Sequence, residues 1–582
     1  MNHQKEQPVR RLLTLGIATL VGLSALRGVE AQTPAAQDNI LVAQAGVERL
    51  KDDLKFVLNL APKGAAQWKD LDDFLANFVI GVDTKRPLRV DVILGTNRDY
   101  RLWVPYGTPA DLKRFQDSNV KTSVGTHKAG GPKPMKKLME GYYEWNGPGW
   151  SGFERDIKGW TILAGKSANV PATLTDPTPV LTPLLADGTD ILGTITNTSA
   201  GQADRRKSLQ DVRKDLTAKI KRLADEADYQ FELRQLSHTQ QMDEAERFYA
   251  ESESLLLGWT LDTAKKEGRL DLKLKALAGT ELEKTIKDLG AEPSAFAAPE
   301  RTEKTTGYAR VNHAIDAMRK GHLKAFLGLV KKQAVARIAQ SKSIKPDHKA
   351  SFGKAAEQFI DLLHAGVDLG VIDGFAQTEK AGDRQTMIGA IRVVDGTGMI
   401  PVLETLKGAE WDVQLNAETV GDLSLHVVKI PQRDDSDFSN LFDKNATLVV
   451  GTSKSVVWYA AGDDAVARLK AAVEKNATAE KTKDGVFLEA WANLGPWMNF
   501  LLERRVRVVL DEKGLTEDDK KMRKTKEGLL KLAVDVFKPG DGTAHIKLQS
   551  VDGEVTGRTT LSEGTLRFAG TKIAEVIEKM FK

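Results

Sequence analysis

A β-hairpin followed by Gly-Thr or Gly-Asp and then a helix recurs five times in the sequence. Glycine allows the chain to leave a strand with a backbone angle that other residues resist, and threonine or aspartate caps the helix that follows. The pattern predicts an α+β fold with antiparallel sheets, built from repeated β-hairpin–helix modules whose helices pack on one face. The residues expected at or next to a helix N-cap are Thr108, Thr280, Thr397, Asp463 and Thr571.

Two of these copies are more alike than the others. Gly95-Thr96 precedes Trp103 and Gly107 much as Gly451-Thr452 precedes Trp458 and Gly462, and the spacing from Trp to Gly is the same in both. Duplication of a module and independent recurrence of a common turn both account for this likeness. The sequence leaves the choice between them open.

Several stretches predict helices. Residues 203–255 lack glycine and proline, and apolar residues recur there at helical spacing, which predicts a long helix or a helical hairpin. Oligomerisation through this segment is left open. Residues 308–340 and 349–363 are interpreted as further helices, on either side of Pro346.

Changes in composition predict seven segments along the chain. Residues 170–200 are proline-rich and are interpreted as a linker with a short strand, and each α+β module contains at least one hairpin. The segments are a signal peptide at 1–31, a linker at 32–43, a first α+β module at 44–169, the linker at 170–200, the long helix with a second α+β module at 201–345, a third α+β region at 346–475, and a C-terminal α+β module at 476–582.

The N-terminus has the three parts of a secretory signal peptide. Basic residues precede an apolar stretch from Leu12 to Leu26, which is short for the roughly 20 residues that span a bilayer. Val29 and Ala31 then fit the −3 and −1 positions of a cleavage site before Gln32. We expect cleavage after Ala31 and export to the periplasm or the extracellular space. An uncleaved anchor is the alternative.

Composition excludes several classes of function. The chain has no cysteine, which excludes disulfides, thiolate metal sites and cysteine nucleophiles. Its net charge is only +4 over 582 residues, which is not the strongly basic charge typical of a nucleic-acid-binding protein. No later apolar run approaches the length of a membrane span, so none is expected after signal cleavage.

Motifs for chemistry are sparse. The nine histidines lie in no HExxH or HxH arrangement, and the sequence predicts no metal site, no cofactor and no catalytic residue. Ser351 and Lys354 match the S-x-x-K spacing of exported serine enzymes, but the companion motifs of those enzymes are missing. Trp145, Trp150 and Trp160 gather around Gly-Pro-Gly at 147–149, and this cluster is the candidate ligand site.

Two segments resemble known sequences. The run LLLGWTLDTAKKEGRLDLKLKALAGTEL from Leu255 resembles a segment of large exported bacterial proteins of unassigned function. The strand Gly-Trp-Thr-Ile-Leu-Ala at 159–164, which follows a tyrosine-rich stretch, is similar to theirs too. The resemblance implies an envelope location and a repeated α+β build, and it transfers no catalytic residue.

The function predicted from the sequence is that of an exported, non-catalytic binding or scaffold protein of the bacterial envelope, whose partner is an unknown envelope component or ligand. A carrier that encloses an apolar ligand is the first alternative, and a hydrolase with residues dispersed along the chain is the second. A large apolar cavity would favour the carrier, and a cleft of polar groups with perturbed pKa values would favour the hydrolase.

Overall fold

A computed structural model describes residues 39–93, 99–120, 133–134, 143–147, 150–157, 159–164, 175–222, 226–341, 344–409, 411–430, 441–442, 446–480, 483–507 and 517–581. The predicted signal peptide and the turn at Thr96 lie outside these residues. Within them the fold is α+β with antiparallel strand pairs, which confirms the α+β class and the antiparallel pairing that the sequence predicts. No helix among them is long and apolar enough to cross a membrane.

The described strands and helices are numbered here in chain order. The strands are β1 (Asn39–Gln44), β2 (Leu88–Ile93), β3 (Asp99–Pro105), β4 (Lys133–Pro134), β5 (Tyr143–Gly147), β6 (Trp150–Ile157), β7 (Trp160–Ala164), β8 (Ile191–Thr196), β9 (Ser252–Asp262), β10 (Glu267–Ala276), β11 (Thr305–Ala314), β12 (Val371–Ala381), β13 (Arg384–Arg392), β14 (Asp412–Val420), β15 (Leu423–Lys429), β16 (Thr447–Thr452), β17 (Val456–Gly462), β18 (Val486–Asn493), β19 (Thr543–Val551) and β20 (Glu554–Leu561). The α-helices are α1 (Val47–Leu60), α2 (Gly64–Phe78), α3 (Pro109–Phe115), α4 (Thr178–Leu184), α5 (Gln202–Ala218), α6 (Asp228–Glu251), α7 (Glu281–Asp288), α8 (Ala317–Gln340), α9 (Lys349–Gly366), α10 (Met399–Lys407), α11 (Ala465–Thr478), α12 (Leu494–Arg507), α13 (Glu517–Val536) and α14 (Glu563–Phe581).

The chain divides into two compact units. The first contains the described residues up to Asp215, with Tyr249–Leu277 and Thr559–Lys582, and the second contains Leu216–Phe248 and Ala278–Arg558. Strands β1–β10 belong to the first unit and β11–β19 to the second, and β20 begins in the second. The C-terminal helix α14 belongs to the first unit, far in sequence from the helices on which it packs.

The two units have the same order of strands. In the first unit the order is β4-β5-β6-β7-β3-β2-β1-β8-β9-β10, with antiparallel neighbours throughout. In the second it is β14-β15-β16-β17-β13-β12-β11-β18-β19, again antiparallel, and β20 pairs with β19. Adding ten to each strand number of the first order gives the second.

The helices occur at matching places between these strands. Two helices follow β1 and β11, one follows β3 and β13, one follows β7 and β17, two follow β8 and β18, and one follows β10 and β20. Gly279-Thr280 stands three and four residues after the end of β10, and Gly564-Thr565 stands at the same distance after β20.

Apolar residues are buried on both faces of the first unit's strands. Ile40 and Val42 of β1 pack on one face with Val90, and Ala43 packs on the other face with Trp103. A separate core joins α1, α2 and α14 through Leu58, Leu71 and Ile577. Gly570 allows α14 to approach α1 closely, because a Cβ at that position would lie 2.2 Å from the carbonyl oxygen of Val57.

In the second unit, two cores lie around strands β13 to β17. One contains Trp458 and Ile388 with Leu469 of α11, and the other contains Val428 and Val457 with Leu403 of α10. The helices therefore cover this part of the strands, whose residues are buried.

The predicted cap residues lie at helix starts in four cases of five. Thr108 and Thr280 cap α3 and α7, and each side chain accepts a hydrogen bond from a backbone N–H of the first helical turn. Thr397 follows the cap Asp395 of a short 3₁₀ turn, and Asp463 precedes the cap Asp464 of α11. The prediction for Thr571 is wrong, because that residue lies in the middle of α14.

Three further predictions need correction. The fifth copy of the predicted pattern has a strand over residues 565–569 before Gly570-Thr571, but these residues are helical in α14, where Leu566 is buried. Residues 308–314, interpreted as the start of a helix, belong to strand β11. For residues 203–255, of the two predicted alternatives the single long helix is wrong, because two separate helices form, α5 and α6; the predicted C-terminal bound is also wrong, since the last residues of the segment begin strand β9.

Candidate functional site

One row of side chains crosses the second unit from a buried core to a partly open face. Cross-strand neighbours share a face of a sheet, so the pairings Trp458–Ala390, Ala390–Phe375 and Phe375–Arg310 place these residues on one side. The row continues from Arg310 to Glu489 and then to Lys547. Trp458 and Ala390 are buried, whereas the side chain of Glu489 is 15% exposed.

We call this partly open region the β11–β18–β19 face and define it by Tyr308, Arg310, Glu489, Trp491 and His545. Strands β11 and β18 each contribute two residues that are two positions apart and point to the same side, because side chains alternate along a strand, and β19 contributes His545. Tyr308 pairs with Trp491, and Trp491 pairs with His545. Three strands that are distant in sequence thus bring five polar or aromatic side chains together.

The Glu489 carboxylate is the centre of the hydrogen bonds on this face. Its Oε1 accepts from the Tyr308 hydroxyl at 2.8 Å and lies 3.0 Å from His545 Nε2. Because a carboxylate only accepts, His545 donates through Nε2–H. Oε2 accepts from Arg310 Nε at 2.8 Å, and Arg310 Nη2 also donates to Asp484 at 2.8 Å.

These contacts move the pKa values of the face away from neutrality. Burial and the hydrogen bond to the Glu489 carboxylate raise the pKa of Tyr308 to about 12. Burial alone would raise the pKa of Glu489, but hydrogen bonds from Tyr308, His545 and Arg310 outweigh it and lower that pKa. Near pH 7 the tyrosine is therefore neutral and the glutamate ionised. General acid–base catalysis works best with a pKa near the working pH, so these two groups are better suited to binding than to proton transfer.

Aromatic and cationic groups give the face a flat, polar-edged surface. The rings of Tyr308 and Trp491 lie 6.5 Å apart between centroids and are inclined by 18°. The guanidinium of the exposed Arg301 lies over the Trp491 ring, 5.0 Å from its centroid. A cavity beside Arg310, lined also by Asn312 and Ser294, measures about 20 Å³, which is room for one water molecule. A larger ligand must therefore lie on the face rather than in this cavity.

A second charged cluster in this unit secures helices. Asp316 caps α8 by accepting the Arg319 backbone N–H at 3.0 Å, and it accepts from Arg247 Nη1 at 2.7 Å. Burial works to raise the pKa of Asp316, but these hydrogen bonds outweigh it and lower the pKa to about 2. Arg247 also donates to the Glu281 carbonyl at 3.0 Å. The cluster fastens the start of α8 to α6 and α7.

The structure places the three predicted tryptophans on adjacent strands but at different levels. Trp145 pairs with Gly152, Trp150 with Gly147, and Trp160 with Ile157. Trp150 is thus seven residues along β6 from the partner of Trp160, about 23 Å at 3.3 Å per residue.

Trp160 itself is fully buried. It packs against Trp103, Ile162 and Leu181, with the Arg86 guanidinium 4.6 Å from its ring centroid. It is therefore a core residue and offers no exposed surface to a ligand. The side chains of Trp145 and Trp150 lie outside the described residues, and their role in binding stays a prediction.

The S-x-x-K pair shows no sign of an activated serine. Ser351 and Lys354 both lie in the first turns of α9, and Lys354 is exposed. No hydrogen bond joins their side chains in the described part of the chain. The described residues also contain no group of three His, Asp or Glu side chains placed to hold a metal ion.

Sequence reasoning missed the β11–β18–β19 face because its residues are far apart in the chain. Tyr308 is 181 positions from Glu489, and Glu489 is 56 positions from His545. The available signal was alternation: Tyr308 and Arg310 flank Ala309, and Glu489 and Trp491 flank Ala490. This alternation with a period of two residues is typical of a strand, and it conflicts with the helix predicted over residues 308–314.

Comparisons with protein families, with curated proteins and with solved structures found no match to this chain.

Proposed function

We propose that the protein is an exported, non-catalytic binding or scaffold protein of the bacterial envelope and that the β11–β18–β19 face is its binding surface. The observation that carries the proposal is the open row of Tyr308, Arg310, Glu489 and Trp491, in which Tyr308 and Glu489 have pKa values shifted away from neutrality. Such a face holds fixed donors, acceptors and an aromatic surface ready for a ligand without supplying an acid or base near pH 7.

The ligand class that fits this face is a polysaccharide of the envelope. Sugar rings present an apolar C–H face and a rim of hydroxyl groups, which match an aromatic surface bordered by hydrogen-bonding side chains. Trp491 and Tyr308 supply the aromatic surface, and Glu489, His545 and Arg301 supply the polar rim. A chain-like ligand also suits a face whose adjoining cavity holds only one water molecule.

Binding to purified peptidoglycan sacculi tests this proposal. We expect the mature protein to sediment with sacculi and expect the Trp491→Ala and Arg301→Gln variants to lose about tenfold in affinity, the effect of 1.4 kcal/mol. Phe359→Ala is the matched control, since Phe359 is an exposed aromatic residue on α9. Unchanged sedimentation of both face variants, or equal loss in the Phe359 variant, contradicts the assignment of this face.

Export and cleavage after Ala31 are part of the same proposal. They rest on the basic residues, the short apolar stretch and the Val29–Ala31 site at the N-terminus. N-terminal sequencing of the protein from its native host is expected to begin at Gln32. A protein that begins near Met1 and fractionates with membranes would be anchored instead.

We also propose that the chain arose by repetition of one module: a strand, two helices, a β-hairpin, Gly-Thr and a helix. The support is the recurrence of this order from β1, β8, β11 and β18, each followed by two helices and a hairpin. A Gly-Thr pair follows each hairpin, at Gly107-Thr108, Gly279-Thr280, Gly396-Thr397 and Gly564-Thr565, and the last of these lies in the first turn of α14. In the strand order, β17, which contains Trp458, corresponds to β7. It does not correspond to β3, which contains Trp103, although the sequences around Trp458 and Trp103 are alike.

A further inference from the structure

Two aspartates face each other in the first unit, between helix α1 and strand β8. Asp190 precedes β8 and is 1% exposed; its Oδ2 accepts the Leu261 backbone N–H at 2.6 Å. Its Oδ1 lies 2.6 Å from Arg49 Nη2, and Arg49 also donates to the Gly188 carbonyl. Asp53 is one turn beyond Arg49 on α1, beside Asp190. Asp53 Oδ2 and Asp190 Oδ1 are both buried and accept no hydrogen bond from the described residues.

The charges around this pair do not balance. Two negative charges, Asp190 and Asp52, act on Asp53 against one positive charge, that of Arg49. Burial, and then the charge of Asp190, raise the pKa of Asp53 to about 7. Below about pH 7 Asp53 is therefore protonated, as one member of a close pair of carboxyl groups is.

The other helices packed on α1 bring two further ion pairs. Asp72 of α2 is bound to Lys51 of α1, with 2.5 Å between the charged atoms. Lys572 and Glu575 of α14 are bound to each other at 2.7 Å. These pairs leave Arg49 as the cation that offsets the two aspartates.

We propose that Asp53 and Asp190 form a proton-dependent clasp that holds α1 against strands β8 and β9. With the proton present, the Asp53 hydroxyl donates to the Asp190 carboxylate, which is also ion-paired with Arg49 and accepts the Leu261 backbone N–H. When the proton is lost to solvent, the hydrogen bond becomes a repulsion between two carboxylates, and the contact of α1 with the strands weakens.

The direction of the pH dependence follows from linkage. The pKa of Asp53 is about 7 in the folded protein, against 3.8 for the ordinary side chain, so the folded state binds more protons between these values. The stabilisation that Asp53 provides is complete below about pH 4 and is lost as the pH rises to about 7. Above that range Asp53 adds no further pH dependence.

The test compares the intact protein with Asp53→Asn, whose amide still donates to Asp190 but cannot ionise. Between pH 5 and pH 8 we expect the wild-type Tm to fall by about 4 °C more than that of Asp53→Asn. Hydrogen exchange in α1, corrected for intrinsic rates, should accelerate about tenfold over this range in the wild type and remain nearly constant in the variant. The control is Asp73→Asn, an exposed aspartate of α2, which should behave as the wild type.

Parallel pH profiles of the wild type and Asp53→Asn would overturn the proposal. If the variant fails to fold, carbon-13 NMR of labelled aspartate carboxyls in the wild type decides the question without it. One aspartate that titrates near pH 7 supports the clasp, whereas titration of every aspartate below about pH 5 overturns it.

Discussion

The two units place their charges on different strands of the same arrangement. In the first unit, a row across β7, β3, β2, β1, β8 and β9 reads Ala164, Arg101, Asp91, Leu41, Thr194 and Leu256. In the second, the row across β17, β13, β12, β11, β18 and β19 reads Trp458, Ala390, Phe375, Arg310, Glu489 and Lys547. At the place of the ion pair Arg101–Asp91 in the first row, the second row has Ala390 and Phe375. At the place of the ion pair Arg310–Glu489 in the second row, the first row has the uncharged Leu41 and Thr194.

This difference shows that the strand order tolerates a charge pair at either place when the partners are supplied. Asp91 is fully buried, and it accepts from Arg89 Nε at 2.7 Å and from Trp103 Nε1 at 2.8 Å. Arg101 adds a third contact at 3.4 Å, and burial lowers the pKa of that arginine. Glu489 likewise accepts from three side chains, those of Tyr308, Arg310 and His545, but it is 15% exposed to solvent. The buried pair Arg101–Asp91 therefore contributes to the stability of the first unit. The partly exposed pair Arg310–Glu489 remains accessible to a ligand.

Deletion of α14, residues 563–582, should have the largest effect and should act on the first unit. The helix buries Leu566, Ala574 and Ile577, and its removal exposes Leu58 and Leu71. Because single large-to-small changes in a core cost about 2–5 kcal/mol, loss of the whole helix exceeds the stability of a typical domain. Limited proteolysis should cut first within α1 and α2. Preferential cutting in β11–β18 would contradict the assignment of α14 to the first unit.

Substitution of Asp91 in the first row and of Glu489 in the second should lower the free energy of unfolding by different amounts. Asp91→Asn leaves Arg89 and Arg101 without a counter-charge and should cost about 3–5 kcal/mol of unfolding free energy. Glu489→Gln should cost only about 1–2 kcal/mol, because Tyr308 and His545 can still donate to the amide oxygen and water reaches the site. Urea unfolding of the two variants measures both values. Equal costs would mean that the Glu489 face is as closed as the Asp91 site.

The pH dependence of Glu489 sharpens the same comparison with a smaller effect. The pKa of Glu489 is lowered below its ordinary value of 4.5, so its contribution to stability is complete above that pH and is lost as the pH falls through the lowered pKa. The Tm difference between wild type and Glu489→Gln, a few degrees at pH 7, should shrink steadily towards pH 3. A difference that grows on acidification would show the opposite shift.

The sequence predicted the hairpins because their signals are local. Alternating apolar residues on either side of a polar turn define β9 and β10, and Thr280 with Glu283 defines the helix start that follows. The strand order could not be predicted in this way, because β1 pairs with β8 across a separation that no local pattern encodes. The β11–β18–β19 face and the Asp53–Asp190 pair form only when strands and helices distant in sequence come together, so the sequence does not predict them.

The errors at the C-terminus have the same physical origin. Residues 565–569, Thr-Leu-Arg-Phe-Ala, alternate in polarity as a strand would, yet they are helical in α14, where Leu566 is buried and Ile577 lies in the core with Leu58 and Leu71. Burial of the helix as a whole outweighs the weak local preference of these five residues. Gly570, interpreted as a turn glycine, is required instead for the close approach of the helix to Val57.

The smallest predicted effect separates a threonine that caps a helix from one that does not. Thr280 accepts the Glu283 backbone N–H at 3.3 Å, and Glu283 in turn accepts from Gly279 at 2.7 Å, so Thr280→Ala should cost about 1 kcal/mol. Thr571 donates to the Arg567 carbonyl within α14, a bond that adds little to a helix, and alanine is the better helix former. Thr571→Ala should therefore change the unfolding free energy by less than about 0.5 kcal/mol. Denaturant unfolding of the two variants checks this order, and a larger cost at Thr571 would indicate that α14 begins there, after a strand, as the sequence pattern suggested.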